Sequence, residues 1–236
     1  MNPCVSPLFP VAPSAPADTF SFERHLYRQG AALVAGVDEA GRGPLAGPVV
    51  AACVVLPRDC IYQDFHDSKQ LTARQRGQLF EILQQNGALI GVGQASPREI
   101  ETINILQASL LAMQRALAEC TASNNGRSPD FLLVDGRFQV PVPVDQLTLI
   151  KGESKSASIA AASIIAKVTR DRLMAEAHHR YPQYGFDRHQ GYPTKVHRQA
   201  IALHGPCLLH RRTFRGVAEF VRAETRTPAP TGNGLW

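Results

Sequence analysis

The stretch that decides the fold is Leu33-Val34-Ala35-Gly36-Val37-Asp38-Glu39-Ala40-Gly41-Arg42-Gly43-Pro44. Its short apolar first half predicts a buried strand, because it contains valine and is bounded by glycine and proline. The strand ends in two adjacent carboxylates, Asp38 and Glu39, which resist ionising together unless a cation neutralises them. Such a pair at a strand end more often faces solvent, but Gly-Arg-Gly follows this one. Gly41 and Gly43 let the backbone approach a partner closely, and Arg42 can bind a phosphate.

The segments around this stretch predict an α/β domain with a mixed, five-stranded sheet flanked by helices. Residues 48–56 are strongly apolar and near enough to the first strand to pair with it as an antiparallel neighbour. Further strands are predicted at residues 88–92, 131–135 and 147–150. Because strands come first, then alternate with helices, and helices follow alone, the order is typical of a mixed α/β sheet with a helical C-terminal extension.

Helix boundaries are marked by capping signals. Thr72 with Gln75, and Ser96 with Glu99, are capping boxes that open two helices, the first of which ends near Gly87. Apolar residues then recur at helical spacing and predict one buried stripe over about four turns: Ile103, Leu106, Leu110, Met113 and Leu117. A long helix rich in serine and alanine begins near Ser156, and its small side chains would allow close approach to a sheet. Shorter helices are predicted at 194–204 and 217–223.

Length and composition indicate one globular domain with two tails. The chain has 236 residues, is 44% hydrophobic and carries a net charge of +5 with a pI of about 9.1, which suits a polyanionic partner without requiring one. We expect disordered tails at 1–20 and 225–236 and a single folded domain at 21–224. Five scattered cysteines without C-x-x-C spacing favour a reducing cytoplasm over a disulfide framework or zinc site. No apolar run is long enough to cross a membrane.

Carboxylates end three apolar segments, at Asp38-Glu39, Asp135 and Glu153. If the strands before Asp38 and Asp135 are parallel neighbours, both acids lie at the same end of the sheet, where α/β proteins bind ligands. Because successive strand side chains alternate, Glu39 can join them only if the chain turns there. Oxygen ligands alone select hard cations, Mg²⁺ or Mn²⁺, and two such ions support phosphodiester hydrolysis.

Several motifs, in order from about residue 33 to residue 214, resemble bacterial ribonuclease HII. They are Val-Asp-Glu-Ala-Gly-Arg-Gly-Pro (37–44), Asp-Ser-Lys (67–69), Val-Asp-Gly (134–136), Lys-Gly-Glu-Ser-Lys-Ser (151–156), Ala-Ala-Ala-Ser-Ile-Ile-Ala-Lys-Val-Thr-Arg-Asp (160–171), Tyr-Gly-Phe (184–186) and His-Gln-Gly-Tyr-Pro-Thr (189–194). The resemblance implies a ribonuclease H-like sheet and metal-dependent cleavage of the RNA strand of RNA–DNA hybrids. It also implies incision 5′ of single ribonucleotides embedded in duplex DNA, leaving 5′-phosphate and 3′-hydroxyl ends.

The resemblance also implies roles for individual residues. The expected metal-binding and catalytic carboxylates are Asp38, Glu39, Asp135 and Glu153, the last standing where the family more often has aspartate. Gly41-Arg42-Gly43 would read the ribose 2′-hydroxyl, the group that distinguishes RNA from DNA. Tyr192 would stack on the deoxyribose side of the junction, and Ser68 and Lys69 would contact phosphate. His210-Arg211-Arg212-Thr213-Phe214 has threonine where the family often shows serine.

Several of these residues also have simpler structural explanations. Tyr192 could be a loop aromatic that caps the core. Four basic residues could form a solvated helical face instead of a surface that follows the nucleic-acid backbone: Lys151, Lys155, Lys167 and Arg170. Asp171 is expected to form a structural ion pair. The histidines at 178, 179 and 189 are expected to be surface residues without a role.

The sequence therefore predicts a monomeric, cytoplasmic endoribonuclease with two Mg²⁺ or Mn²⁺ ions. Its partners would be RNA–DNA hybrids and ribonucleotide-containing duplex DNA, with no membrane partner. A non-catalytic hybrid-binding module on the same fold is the main alternative, but it would require loss of a core acid, and none is missing. A nucleotide-binding kinase or ATPase is disfavoured, because the chain contains neither G-x-x-x-x-G-K-[ST] nor G-x-G-x-x-G.

Overall fold

A computed structural model describes residues 18–59, residue 65 and residues 71–224. Its five-stranded mixed sheet confirms the predicted fold class. The strands are β1 (Val34–Ala40), β2 (Val49–Val55), β3 (Leu89–Ala95), β4 (Phe131–Asp135) and β5 (Asp145–Leu149), arranged in the order β3-β2-β1-β4-β5. β2 pairs antiparallel with β1 and β3, whereas β4 pairs parallel with β1 and β5. The sheet is therefore antiparallel on one side of β1 and parallel on the other.

Helices cover both faces of the sheet. They are α1 (Ser21–Arg28), α2 (Ala73–Gln85), α3 (Pro97–Ser123), α4 (Ala157–Arg180), α5 (Phe186–His189), α6 (Lys195–His204) and α7 (Ala218–Glu224), with 3-10 turns at Gly152–Ser154 and Pro182–Tyr184. On one face of the sheet, α3 packs against β1 and β2 in one hydrophobic core. On the opposite face, α2 and α4 pack against β2 in a second core. Both predicted capping boxes are present, at Thr72 and at Ser96.

The small residues of α4 allow it to lie directly on β1. A Cβ atom built at Gly36 would lie 2.0 Å from the backbone carbon of Ser158, so only glycine fits at this point of the strand. The first part of α4 is buried and is composed largely of alanine, serine and isoleucine. The predicted close approach of this helix to the sheet is confirmed, and it fixes α4 alongside the strand that carries Asp38.

α3 is kinked, which the predicted stripe did not indicate, although Ile103, Leu110, Met113 and Leu117 of that stripe all pack in one core. Asn104 has φ 67° and ψ 167°, and its Oδ1 accepts hydrogen bonds from the backbone N–H groups of Leu106 and Gln107. Asn104 thus acts as an internal N-cap that starts a second helical segment. Beyond the kink, Met113 and Leu117 are buried as expected, together with alanines at 108, 112 and 116.

The C-terminal helices form a third cluster against the last turns of α4. This cluster contains Leu45 and Ala46 from the loop after β1, and a β-bridge joins Ala46 to His210. The helical C-terminal extension is therefore present, and it packs on the loop that contains the Gly-Arg-Gly sequence. Within the described ranges, no helix is both long and apolar enough to span a membrane.

The ends of the chain are described in part. Residues 1–17 and 225–236 of the predicted tails lie outside the described residues, as do Ser68 and Lys69. Within the predicted N-terminal tail, Phe20 is buried and the Thr19 carbonyl accepts a hydrogen bond from Ala157 N–H, so the packed region already includes residues 19 and 20. The sequence did not predict α1, whose N-terminus has no side-chain cap to announce it.

Candidate active site

The sheet register brings two of the predicted acids side by side. In the parallel ladder between β1 and β4, Val37 is paired with Val134, so Asp38 and Asp135 are the next residue on each strand. Both line a cavity of about 270 Å³ at this end of the sheet. The cavity is lined by Asp38, Glu39, Ala40, Gly41, Arg42, Gly43, Arg76, Asp135, Ser163, Lys167 and Tyr192. The structure therefore places Asp38 and Asp135 together, as the sequence predicted.

Glu39 reaches the same cavity without the turn that the sequence argument required. β1 continues through Ala40, and Glu39 remains paired with Ala51 of β2, so the chain first turns at Gly41 with φ 98°. On its other side, β4 ends at Asp135, level with Asp38. Glu39 thus lies beyond the end of its parallel neighbour, where its longer side chain can reach the cavity.

Glu153 approaches from the 3-10 turn that follows β5. Its side chain is almost fully buried, with 5% of the residue exposed, and its Oε2 accepts a hydrogen bond from the Ser163 hydroxyl at 3.0 Å. The preceding residue, Gly152, donates its backbone N–H to Oδ1 of Asp135 at 2.6 Å. The turn is therefore tied to β4, and Glu153 lies between Asp135 and α4.

The acids of this cluster are buried close together, and this raises the pKa of two of them, Asp38 and Glu39. Burial raises the pKa of Asp38 well above its ordinary value, and the nearby charges of Glu39, Asp135 and Glu153 raise it further. Burial also raises the pKa of Glu39, although Arg42, whose Nη1 lies 3.2 Å from Oε1, acts in the opposite direction. The crowding therefore disfavours the ionised form of Asp38 in particular.

The donor set fits a hard divalent cation. All four groups are carboxylates, the ligands that Mg²⁺ and Mn²⁺ prefer, and a cation among them would relieve the repulsion that raises the Asp38 pKa. As the side chains stand, no three His, Cys, Asp or Glu residues in the described ranges converge closely enough to hold an ion. Instead, the acids accept hydrogen bonds, as Asp38 does from the Glu39 N–H at 2.7 Å. Ion binding would therefore require these side chains to move.

Two buried arginines hold the loop between β1 and β2. Arg211 donates to the carbonyl oxygens of Gly41 at 2.6 Å, Arg42 at 2.9 Å and Gly47 at 2.9 Å. Arg170 of α4 donates to the carbonyls of Ala46 and Pro48, both at 3.0 Å. Burial and the neighbouring Arg170 lower the pKa of Arg211 to about 9, so it is still charged at neutral pH.

These arginines were not among the residues assigned a function from sequence. Arg211 belongs to the His-Arg-Arg-Thr-Phe motif at residues 210–214. The motif drew attention to this segment but did not indicate that Arg211 binds backbone carbonyls. Neither explanation offered for Arg170 is correct: it is neither solvated nor on a nucleic-acid-facing surface, since only 1% of it is exposed. The other members of that set differ from it, because Lys151 and Lys155 are exposed and Lys167 is half-buried.

The remaining predicted residues have mixed outcomes. Tyr192 lines the cavity and is 42% exposed, and its ring is 3.8 Å from the position that a Cβ atom of residue 43 would occupy, so it does not cap the core.

The ion pair predicted for Asp171 is confirmed, with Lys167 Nζ 2.6 Å from its Oδ1. The expectation that His189 lies on the surface is wrong: it is 9% exposed and donates or accepts only within the C-terminal cluster, with Nε2 2.8 Å from the Tyr184 carbonyl.

Comparisons with known proteins agree with the motifs. A sequence model described as ribonuclease HII matches residues 35–217. The ribonuclease HII of Desulfotalea psychrophila is 56% identical over 214 residues, which cover 91% of this chain and 94% of that protein. The ribonuclease HII of Syntrophotalea carbinolica is 51% identical over 209 residues, covering 89% of this chain and 98% of that protein.

A solved structure shares the fold over nearly its full length. The crystal structure of ribonuclease H2 from Pyrococcus horikoshii OT3 has a TM-score of 0.63 and 27% identity to this chain. The similarity covers 82% of this chain and 99% of that one. The sequence model, the relatives and the sheet all point the same way: the chain belongs to the ribonuclease HII family.

Proposed function

We propose that this ribonuclease cleaves the RNA strand of RNA–DNA hybrids and incises duplex DNA on the 5′ side of single embedded ribonucleotides, using two Mg²⁺ or Mn²⁺ ions. Membership in the ribonuclease HII family implies ribonuclease H activity on hybrids. The observation that carries the proposal is the register of β1 and β4, which sets Asp38 beside Asp135 at the cavity that the Gly41–Gly43 segment also lines.

Asp38, Glu39, Asp135 and Glu153 are proposed to hold the ions. When bound, the ions would supply an activated water and neutralise charge on the leaving oxygen. The protein's own contribution is to gather the carboxylates at one end of the sheet. Asp135 accepts a hydrogen bond from the Gly152 N–H and Glu153 from the Ser163 hydroxyl, and these bonds orient the two side chains.

Recognition of the ribonucleotide is proposed to lie with the segment Gly41-Arg42-Gly43 and with Tyr192. The two glycines let main-chain groups approach a 2′-hydroxyl, which is the feature that separates a ribonucleotide from its DNA neighbours. Tyr192 lies beside Gly43 with its ring exposed, where it can pack on a sugar. Arg42, also exposed at this edge, would contact phosphate, so we expect substrate binding to weaken as salt rises.

The decisive experiment uses a duplex DNA with one embedded ribonucleotide, incubated with and without divalent ion and analysed at nucleotide resolution. We expect one cut, 5′ of the ribonucleotide, only when Mg²⁺ or Mn²⁺ is present. Asp38→Asn should abolish cleavage, by about 10³-fold or more, while substrate affinity stays nearly unchanged. Asp145→Asn, which alters an exposed acid of β5, is the matched control.

The outcomes separate the alternatives. Cleavage of the duplex at normal rate by Asp38→Asn would exclude the proposed site. Tight binding of hybrids by the wild type without any cleavage in either metal would instead indicate a non-catalytic hybrid-binding protein.

We further propose that the chain acts as a monomer in the cytoplasm. Cys53, Cys120 and Cys207 are free thiols, which suits a reducing compartment. Light scattering on the purified protein would test the monomer, because a stable dimer would give twice the mass of 25.7 kDa.

A further inference from the structure

Three histidines that the proposed reaction does not use are buried together behind Tyr192. His189, His197 and His210 are 9%, 0% and 1% exposed. The rings of His189 and His197 are stacked with centroids 4.5 Å apart, and the centroids of His197 and His210 are 5.2 Å apart. Three buried imidazoles in contact need their hydrogen bonds accounted for, because each neutral ring has one donor and one acceptor.

One backbone group fixes the direction of the hydrogen bonds through two of these rings. The N–H of Cys207 donates to Nδ1 of His210 at 2.9 Å, so the proton of His210 is on Nε2. That Nε2 lies 3.1 Å from Nε2 of His197, which must therefore accept. His197 then carries its own proton on Nδ1, which lies 2.9 Å from the carbonyl oxygen of Tyr192 and donates to it.

The other side of Tyr192 is held by the third histidine. The Tyr192 N–H donates to the carbonyl oxygen of His189 at 2.8 Å. The His189 ring accepts from the Gly191 N–H through Nδ1, and Nε2 therefore donates to the Tyr184 carbonyl at 2.8 Å. The backbone of Tyr192 is thus bonded on both sides to this histidine cluster, while its ring projects into the active-site cavity.

This series of hydrogen bonds can form only while the imidazole rings are neutral. A protonated ring has two donors and no acceptor, so it would lose the bond it accepts from its neighbour. Burial lowers the pKa of His197 and of His210 to about 4, which keeps both rings neutral at the pH of the cytoplasm.

We infer that His197 and His210 are positioning residues, which set the place of Tyr192 in the active site through the bond from His197 Nδ1 to the Tyr192 carbonyl. The inference rests on the proposed function, because it takes Tyr192 to contact substrate. Neither His197 nor His210 lines the cavity, and the side chain of His197 is linked to it through the Tyr192 carbonyl.

The first test compares two substitutions at His197. The amide nitrogen of asparagine lies near the place of Nδ1, so His197→Asn keeps a donor for the Tyr192 carbonyl, whereas His197→Gln places its amide near Nε2 and loses that donor. We expect His197→Gln to raise KM for the single-ribonucleotide duplex about fivefold, the effect of one neutral hydrogen bond, with kcat nearly unchanged. His197→Asn should restore most of the affinity.

The second test asks whether the effect passes through Tyr192. In a double-mutant cycle, His197→Gln should raise KM in the wild-type background but have little further effect in Tyr192→Ala. His179→Gln, which makes the same change at an exposed histidine of α4, is the control and should leave KM unchanged. Thermal denaturation of each variant separates loss of fold from loss of positioning.

If His197→Gln does not fold, the same comparison is available at His210. His210→Gln keeps a donor near Nε2 and should retain a KM near that of the wild type, whereas His210→Asn loses it and should raise KM. Equal effects of His197→Gln with and without Tyr192 would overturn the inference. If Tyr192→Ala itself leaves KM unchanged, the proposed contact of Tyr192 with substrate fails instead.

Discussion

Gly41 and Gly43 flank the same arginine but meet different physical demands. Gly41 has φ 98°, and a Cβ there would lie 2.1 Å from Nε of Arg170 and 2.9 Å from the Pro48 carbonyl oxygen. Gly43 has an ordinary φ, and its Cβ position meets only the Tyr192 ring, at 3.8 Å. Gly41 is therefore required by the fold, whereas the fold itself leaves room for a side chain at Gly43.

Alanine substitutions should separate these two demands. We expect Gly43→Ala to change the free energy of unfolding by less than about 0.5 kcal/mol, yet to lower kcat/KM on ribonucleotide-containing duplex about tenfold by blocking close approach to the 2′-hydroxyl. Gly41→Ala should cost about 2 kcal/mol or more in stability. Urea denaturation and steady-state kinetics measure both effects. Full activity in Gly43→Ala would exclude a close substrate contact at that position.

At the scale of single residues, the sequence predicted members of the candidate site where they belong to short motifs. Asp38, Glu39 and Asp135 were singled out because apolar strands end in acids, and the predicted parallel pairing of β1 with β4 is present. The partners of Arg211 could not be found in this way. They are backbone carbonyls about 165 residues away in the chain, and carbonyls leave no mark in a sequence.

Among the elements, the contact between α1 and the start of α4 contains a buried acidic side chain. Glu23 of α1 is fully buried, and its Oε1 accepts from the Ser156 hydroxyl at 2.6 Å and from the Ser158 N–H at 3.0 Å. Its Oε2 has no hydrogen-bond partner among the described residues. Burial raises the pKa of Glu23 above its ordinary value despite these bonds, so ionising this carboxyl costs more in the folded protein than in the unfolded chain.

Glu23→Gln should therefore change how stability depends on pH. A carboxyl whose folded pKa is raised contributes stability that is present below its unfolded pKa of about 4.5 and is lost as pH rises through the folded pKa. Glutamine does not titrate, so the stability of the variant relative to wild type should rise between pH 4 and pH 8. Denaturant unfolding across this range measures it, with the exposed Glu176→Gln as control. A constant difference would contradict a buried, titrating Glu23.

Elements with local signals were predicted more reliably than those without. α2 and α3 open with capping boxes, and both begin where the sequence placed them. α1 has no cap, and its stability comes from packing of Leu26 and Glu23 on distant parts of the chain. The kink in α3 was missed for a related reason: apolar spacing alone does not show that Asn104 bonds to the backbone two and three residues ahead.

Across the whole molecule, a basic chain is built around an acidic centre. The net charge is +5, yet two acids at the end of the sheet, Asp38 and Glu153, are buried, each with only 5% of the residue exposed. Acids gathered in this way raise the cost of ionising Asp38, which reduces the stability of the ion-free protein. The proposed ions would reverse this cost, which links the function of the site to the stability of the fold.

That link can be measured by thermal denaturation at pH 8. Without divalent ions, Asp38→Asn should be more stable than wild type by about 1 kcal/mol, or roughly 3 °C, because it removes one buried, repelled charge. Mn²⁺ at 100 times its dissociation constant should stabilise the wild type by about 2.7 kcal/mol and Asp38→Asn much less. Asp145→Asn should respond to Mn²⁺ as the wild type does. Equal stabilisation of Asp38→Asn and wild type by the ion would show that Mn²⁺ binds elsewhere and that these carboxylates do not hold it.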